Sequence, residues 1–146
     1  TCEAALFDCG RPVVVAPKVV SDSFGKNVVI AWNRSTETAR TVSHGRDILA
    51  EAEQVTVLTV VGATVPGPSG EDLAQHLKRS GVNAVARTVE MASRAVGEAT
   101  LEEAASEGAD VLFKGAYTHT RLRQMIFGGA TRHILSHATL PVFMAH

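Results

Sequence analysis

Long apolar runs are missing from this chain. The most apolar stretches, such as Val55–Val61, fall far short of the ~20 residues a membrane helix needs, so no membrane partner is expected. An excess of charge of one sign is missing too. Lys and Arg number 14 against 15 Asp and Glu, so no net field draws the chain to nucleic acid or anionic lipid. Cysteine is scarce. Cys2 and Cys9 make neither a disulfide framework nor a CxxC pair, and their sparsity fits a reducing, cytoplasmic setting. No basic, apolar, small-residue leader is visible, so no signal peptide is expected. Also absent are a Walker loop, a dinucleotide fingerprint, a nucleophile elbow and an HExxH helix. A receiver domain needs acids after its first strand, where this chain has Trp32-Asn33-Arg34. Nothing resembles a paired general acid and base, so no enzyme of a familiar class is expected.

The chain does carry a regular alternation. The 146 residues suit one domain with a single core. Lys26–Trp32 reads as a strand, and Ser35-Thr36 reads as a helix start, because a hydroxyl there accepts from free backbone N–H groups. Ala39, Val42, Leu49 and Ala52 follow on one helical face. Gln54–Val61 is the next strand, and Gly62–Gly70 is a loop rich in glycine and proline. Leu73, Ala74 and Leu77 mark a short helix closed by Gly81. Val82–Val89 is a more polar strand that suits a sheet edge. Ser93 is the expected cap of a helix whose inward face reads Gly97, Leu101, Ala104 and Gly108. Asp110–Lys114 is a compact strand, Gly115–Gln124 a loop, and Phe127, Ala130, Ile134 and Ala138 place a last helix on the core. Pro141–Ala145 is the final strand.

Apolar strands joined by crossover helices predict a doubly wound, five-stranded parallel α/β sheet, strand order 3-2-1-4-5, with helices on both faces. In such sheets ligands bind beyond the carboxyl ends of the strands, which directs attention to the segments just after Trp32, Val61 and Lys114.

The first residues stand apart. Arg11–Pro17 is a lone strand, and Leu6–Pro17 (LFDCGRPVVVAP) repeats the pattern of Leu135–His146 (LSHATLPVFMAH). Either residues 1–25 are the remnant of a preceding similar domain, with 26–146 the domain proper, or the strand is a simple N-terminal addition. The strand is predicted to pair antiparallel with a Pro141–Ala145 strand, of its own chain or another, since an exposed apolar edge invites pairing.

The chemistry-bearing stretch is Gly115–Leu135. A strand ends, a loop comes next, and Gly128-Gly129 opens a helix. Free N–H groups and the dipole at a helix start attract phosphate. Thr118, Thr120 and Thr131 add hydroxyls, and Arg121 and Arg123 add charge. The segment reads as a phosphate cradle or as a structural tight turn. His119 stands in it as a ligand contact or a solvated residue. His133 and His137, spaced for one helix face, lack a third metal ligand. Trp32 reads as pocket wall or core.

This stretch resembles the motif of universal stress proteins, whose nucleotide-binding members carry Gly-x2-Gly-x9-Gly followed by Ser or Thr. Here Gly115, the nine residues His119–Phe127, and Gly128 keep that spacing. GAY-x-H-x-R-x-R before GG-x-TR, with a final PV-x-MAH, resembles the second half of bacterial tandem members. The resemblance implies a stress-response domain that binds ATP or a related adenine nucleotide, with magnesium as companion ion, and any hydrolysis slow and incidental. It places the nucleotide near Ala31 and Asn33, the adenine at Val60 and Val61, and the phosphates at Gly115–Thr118 and at Gly128, Gly129, Ala130 and Thr131. It also implies a homodimer or pseudo-dimer through the last strand. The alternative is an interaction domain with a degenerate, non-nucleotide-binding pocket. Three positions depart from the family pattern. Asn33 replaces the usual Asp, Thr118 replaces the second glycine, and Gly129 replaces the hydroxyl residue, for which Thr131 is a partial substitute.

Overall fold

The computed structural model describes residues 2–116 and 129–146. The expected strands form β1 (Val13–Val15), β2 (Asn27–Ala31), β3 (Gln54–Val60), β4 (Ala84–Val89), β5 (Val111–Gly115) and β6 (Val142–Ala145). They make one sheet in the order β1-β6-β5-β2-β3-β4. β2 pairs in parallel with β3 and β5, β3 with β4, and β5 with β6. Counted among themselves, these strands keep the expected order 3-2-1-4-5. The sheet is nevertheless mixed and six-stranded, because the N-terminal strand joins it antiparallel to β6 of its own chain.

Alternation along the strands divides the core into two layers. Val28, Ile30, Val55, Val57 and Phe113 face one side. There they meet Val42 of α2 (Thr36–His44), Leu49 of α3 (Arg46–Glu51) and Leu77 of α4 (Gly70–Arg79). Val29, Leu58, Leu112, Val142 and Met144 face the other side. There they meet Leu6 of α1 (Cys2–Asp8), Ala104 of α5 (Val96–Ser106) and Ile134 of α6 (Gly129–His137). Each fully buried aliphatic side chain contributes about 1.5–3 kcal/mol.

Several helices start and stop as the residues dictate. Ser35 caps α2, its Oγ accepting from the Thr38 N–H at 3.2 Å. After α4, Gly81 adopts φ +87° while Gly81 N–H bonds Lys78 O and Val82 N–H bonds Leu77 O, the paired closure that a glycine favours. β4 lies at the sheet edge, as its polar sequence suggested. Its Arg87 pairs with Glu103 at 3.0 Å and with Glu107.

Two helices differ from the sequence reading. The run after Ser35 divides into α2 and α3 at Gly45, where any Cβ would run into the Phe113 ring. Its inward face carries Thr38 and Thr41 beside Val42 and Leu49, whereas Ala39 is exposed. Polar residues are tolerated there because each hydroxyl is bonded. Thr41 Oγ1 donates to Glu37 O at 2.9 Å and accepts from the Ala145 N–H at 3.2 Å. For α5 the cap is Ala95 and not Ser93. Ala92 turns left-handed (φ 53°), and Arg94 N–H bonds Met91 O at 3.1 Å, so residues 91–94 are consumed by a tight turn.

α1 went unpredicted, although the internal repeat implied it. Helix-then-strand occurs twice, as α1–β1 and as α6–β6. The register between the two strands has a two-fold character. Val13 faces Met144, Val14 faces Phe143 and Val15 faces Val142. Aligned by the repeat, Val13 corresponds to Val142 and Val15 to Met144, so the pair Val13–Met144 is matched by the equivalent pair Val142–Val15.

Candidate functional site

The carboxyl ends of β2, β3 and β5 open into a cleft of about 550 Å³, within the range of small-ligand sites. Its position follows from topology. Neighbouring strands β2 and β5 send their crossovers to opposite faces of the sheet, leaving a gap at the switch point. One wall is the loop after β3. Trp32 Nε1–H donates to Pro68 O at 3.0 Å, and Val65 N–H donates to Asn33 O at 3.1 Å, which tie that loop to the end of β2.

Ala31, Asn33, Val60, Gly115, Gly129, Ala130 and Thr131 all line this cleft, as does Trp32. Residues separated by up to a hundred positions are thus brought together. Val61 is not among the lining residues. Its N–H bonds Val89 O at 2.9 Å, extending the ladder toward the edge strand, and its side chain is exposed. Thr118 and Gly128 lie outside the described residues, as do His119, Thr120, Arg121 and Arg123.

Asn33 is held by a complete donor–acceptor chain. Its Oδ1 accepts from the Ser35 N–H at 3.1 Å and from the Thr38 hydroxyl at 2.7 Å. Ser35 N–H can only donate, so the carboxamide must present oxygen to it. The Nδ2 donors therefore face away from the helix cap and have no bond to another described residue. Gly115 ends β5 where a Cβ would lie 2.5 Å from the Thr38 nitrogen. A glycine there lets the strand end pack directly on the first turn of α2. Gly129, in contrast, has no described atom within 4 Å of a Cβ position.

Sequence reasoning missed two charged lining residues. Glu37, in the first turn of α2, is buried in the cleft wall, and Thr36 Oγ1 donates to its carboxylate at 3.3 Å. Lys114 interrupts an otherwise apolar strand, and burial pushes the pKa of its ammonium down to about 8. Its visible signal was a lysine in the buried-strand run VLFKG.

Elsewhere the candidates separate from the cleft. His133 and His137 stack ring on ring, with centroids 4.2 Å apart, and His137 Nδ1 lies 3.0 Å from His133 O. Among the described residues no cluster of three or more His, Cys, Asp or Glu could hold a metal. Nor is any helix among them long and apolar enough to cross a membrane.

Comparison with known proteins agrees with the architecture. The model of the universal stress protein family matches residues 25–146. A universal stress protein from Archaeoglobus fulgidus DSM 4304 superposes with TM-score 0.76 at 18% identity, over 99% of this chain and 54% of its own. This chain therefore spans about half the length of that protein. A second structure from Archaeoglobus fulgidus gives TM-score 0.57 at 14% identity, covering 79% of this chain and 89% of its own. A member from Burkholderia pseudomallei gives 0.50 at 20%, covering 82% and 96%. Among curated proteins, none matches this chain.

Proposed function

Since the chain belongs to the universal stress protein family, we propose that its cleft binds an adenine nucleotide of the ATP type and that the chain acts in a stress response as a dimer or pseudo-dimer. The observation that carries this reading is the convergence of Asn33, Val60, Gly115, Gly129 and Thr131 on one cleft at the strand ends. In the proposed arrangement the adenine lies against Ala31 and Val60. The free Nδ2 of Asn33 donates to the ribose, and the buried Glu37 carboxylate accepts from a ribose hydroxyl. The phosphates lie at the N-terminal turn of α6, where backbone N–H groups and the dipole favour anions. Magnesium fits the described residues poorly, because Asn33 is neutral and Glu37 is the one carboxylate among the lining residues. The nucleotide's own phosphates would carry the ion.

Isothermal calorimetry of the chain with ATP tests this. Saturable one-to-one binding is expected, weakened at least about tenfold in Gly129→Asp, which places a carboxylate at the phosphate site. No described atom would meet a Cβ at Gly129, and an acid in a helix's first turn favours the helix, so the variant is expected to fold. Absence of ATP binding would favour the interaction domain with a degenerate pocket.

The assembly part of the proposal rests on the symmetric register of β1 on β6. In it, α1–β1 stands where the closing helix and strand of a like domain would stand. A chain lacking residues 1–17 exposes the β6 edge and is expected to dimerise by light scattering. A strictly monomeric truncated chain would contradict it.

A further inference from the structure

Among the described residues, Lys114 makes no ion pair. Strand alternation places it on the face of Leu112, opposite Phe113, where the apolar layer opens into the cleft. An apolar side chain would be the default there, since the paired residue on β6 is the buried Met144. Its ammonium makes one hydrogen bond among the described residues, to Gly115 O at 3.3 Å. The carboxylates paired among the described residues go to Lys26, Arg87 and Arg94. The stretch 117–128 contains no Asp or Glu, so no acid from it neutralises the lysine. Glu37 lines the same cleft, but its carboxylate bonds Thr36 and makes no ion pair with Lys114. A half-buried charge without a partner is costly. An anionic ligand removes that cost by supplying the missing charge.

We propose that Lys114 is the specificity-determining residue of the cleft, taking a phosphate oxygen of the ligand and so selecting a nucleotide over its nucleoside. This rests on the nucleotide reading above. The depressed Lys114 value, about 8, still leaves the ammonium protonated at pH 7, as the role requires. A lysine that merely drapes its stem over apolar surface and sends its charge to water would give no such selection.

The test is calorimetry at pH 7 on the full chain and on Lys114→Met, with ATP, adenosine and inorganic tripolyphosphate as probes. Met is unbranched and of similar length, and a thermal melt establishes that the variant is folded. The wild-type chain is expected to bind ATP about tenfold more tightly than adenosine. Lys114→Met is expected to bind the two within about twofold of each other. A wild-type chain without preference, or a preference that persists in Lys114→Met, overturns the inference and leaves nucleotide binding standing. Wild-type binding of tripolyphosphate but not of ATP or adenosine, lost in Lys114→Met, upholds the anion role while the nucleotide reading falls. Failure of all three probes to bind the wild-type chain overturns both.

Discussion

The two ends of the parallel sheet are built on opposite terms. At the amino ends, polar groups are matched to one another. The Asp110 carboxylate accepts from Ser23 Oγ at 2.5 Å and from the N–H groups of Gly25, Lys26 and Asn27 at 3.0, 3.0 and 3.1 Å. It thereby locks the chain entering β2 beneath the start of β5. At the carboxyl ends, Asn33 Nδ2 and the Lys114 ammonium are left without a protein partner of matching capacity among the described residues. Both ends carry polar residues at similar positions, so polarity alone does not mark a site. Unused donor capacity facing a cleft does.

Substitutions can break this contrast, beginning with the largest expected effect. Asp110→Ala removes one acceptor from four donors, and three of the orphaned groups belong to the backbone entering β2. Urea unfolding should show a loss of about 3 kcal/mol, with ATP binding retained in the folded fraction. A loss below about 1 kcal/mol would mean that the amino-end clamp is replaceable by water. Next, Asn33→Ala removes the acceptor that orders Ser35 and Thr38 at the start of α2. It should cost about 1 kcal/mol in stability and at least about tenfold in ATP affinity, a combination that Asp110→Ala does not produce.

The effect of Lys114→Met on stability is expected to have the reversed sign. Burial holds the Lys114 amine near 8 against an ordinary 10.5, so between those values the unfolded chain binds the extra proton. The destabilisation from the buried charge is complete below about pH 8 and fades as pH rises toward 10.5. Lys114→Met should therefore raise the melting temperature at pH 7, with the gain shrinking toward pH 10. A constant difference across that range would show that the charge is not what the substitution removes.

The fold was largely legible in the sequence because hydrophobic alternation and helix signals are local. The β2–β6 strands, their order, the Ser35 cap and the Gly81 closure all follow from short segments. What was not legible depends on contacts between distant segments. Gly45 divides a helix because Phe113, far along the chain, occupies the space. Thr38 and Thr41 face inward on a helix packed against β5 and β6, and those strands bond the Thr41 hydroxyl. Ser93 does not cap α5 because a left-handed turn at Ala92 intervenes. Part of the cleft lining was legible where motif and strand end coincide, at Asn33, Gly115 and Gly129–Thr131. Glu37 and Lys114 were overlooked because each reads, in its own segment, as an ordinary helix or strand residue.

The contrast between the two ends is tested most directly by amide chemical shifts recorded while ATP is titrated into the isotopically labelled chain. The account predicts shifts concentrated at Asn33, Val60, Gly115 and Gly129–Thr131, with Ser23–Asn27 and Asp110 unmoved. Shifts centred on the Asp110 clamp, or no shifts at saturating nucleotide, would contradict it.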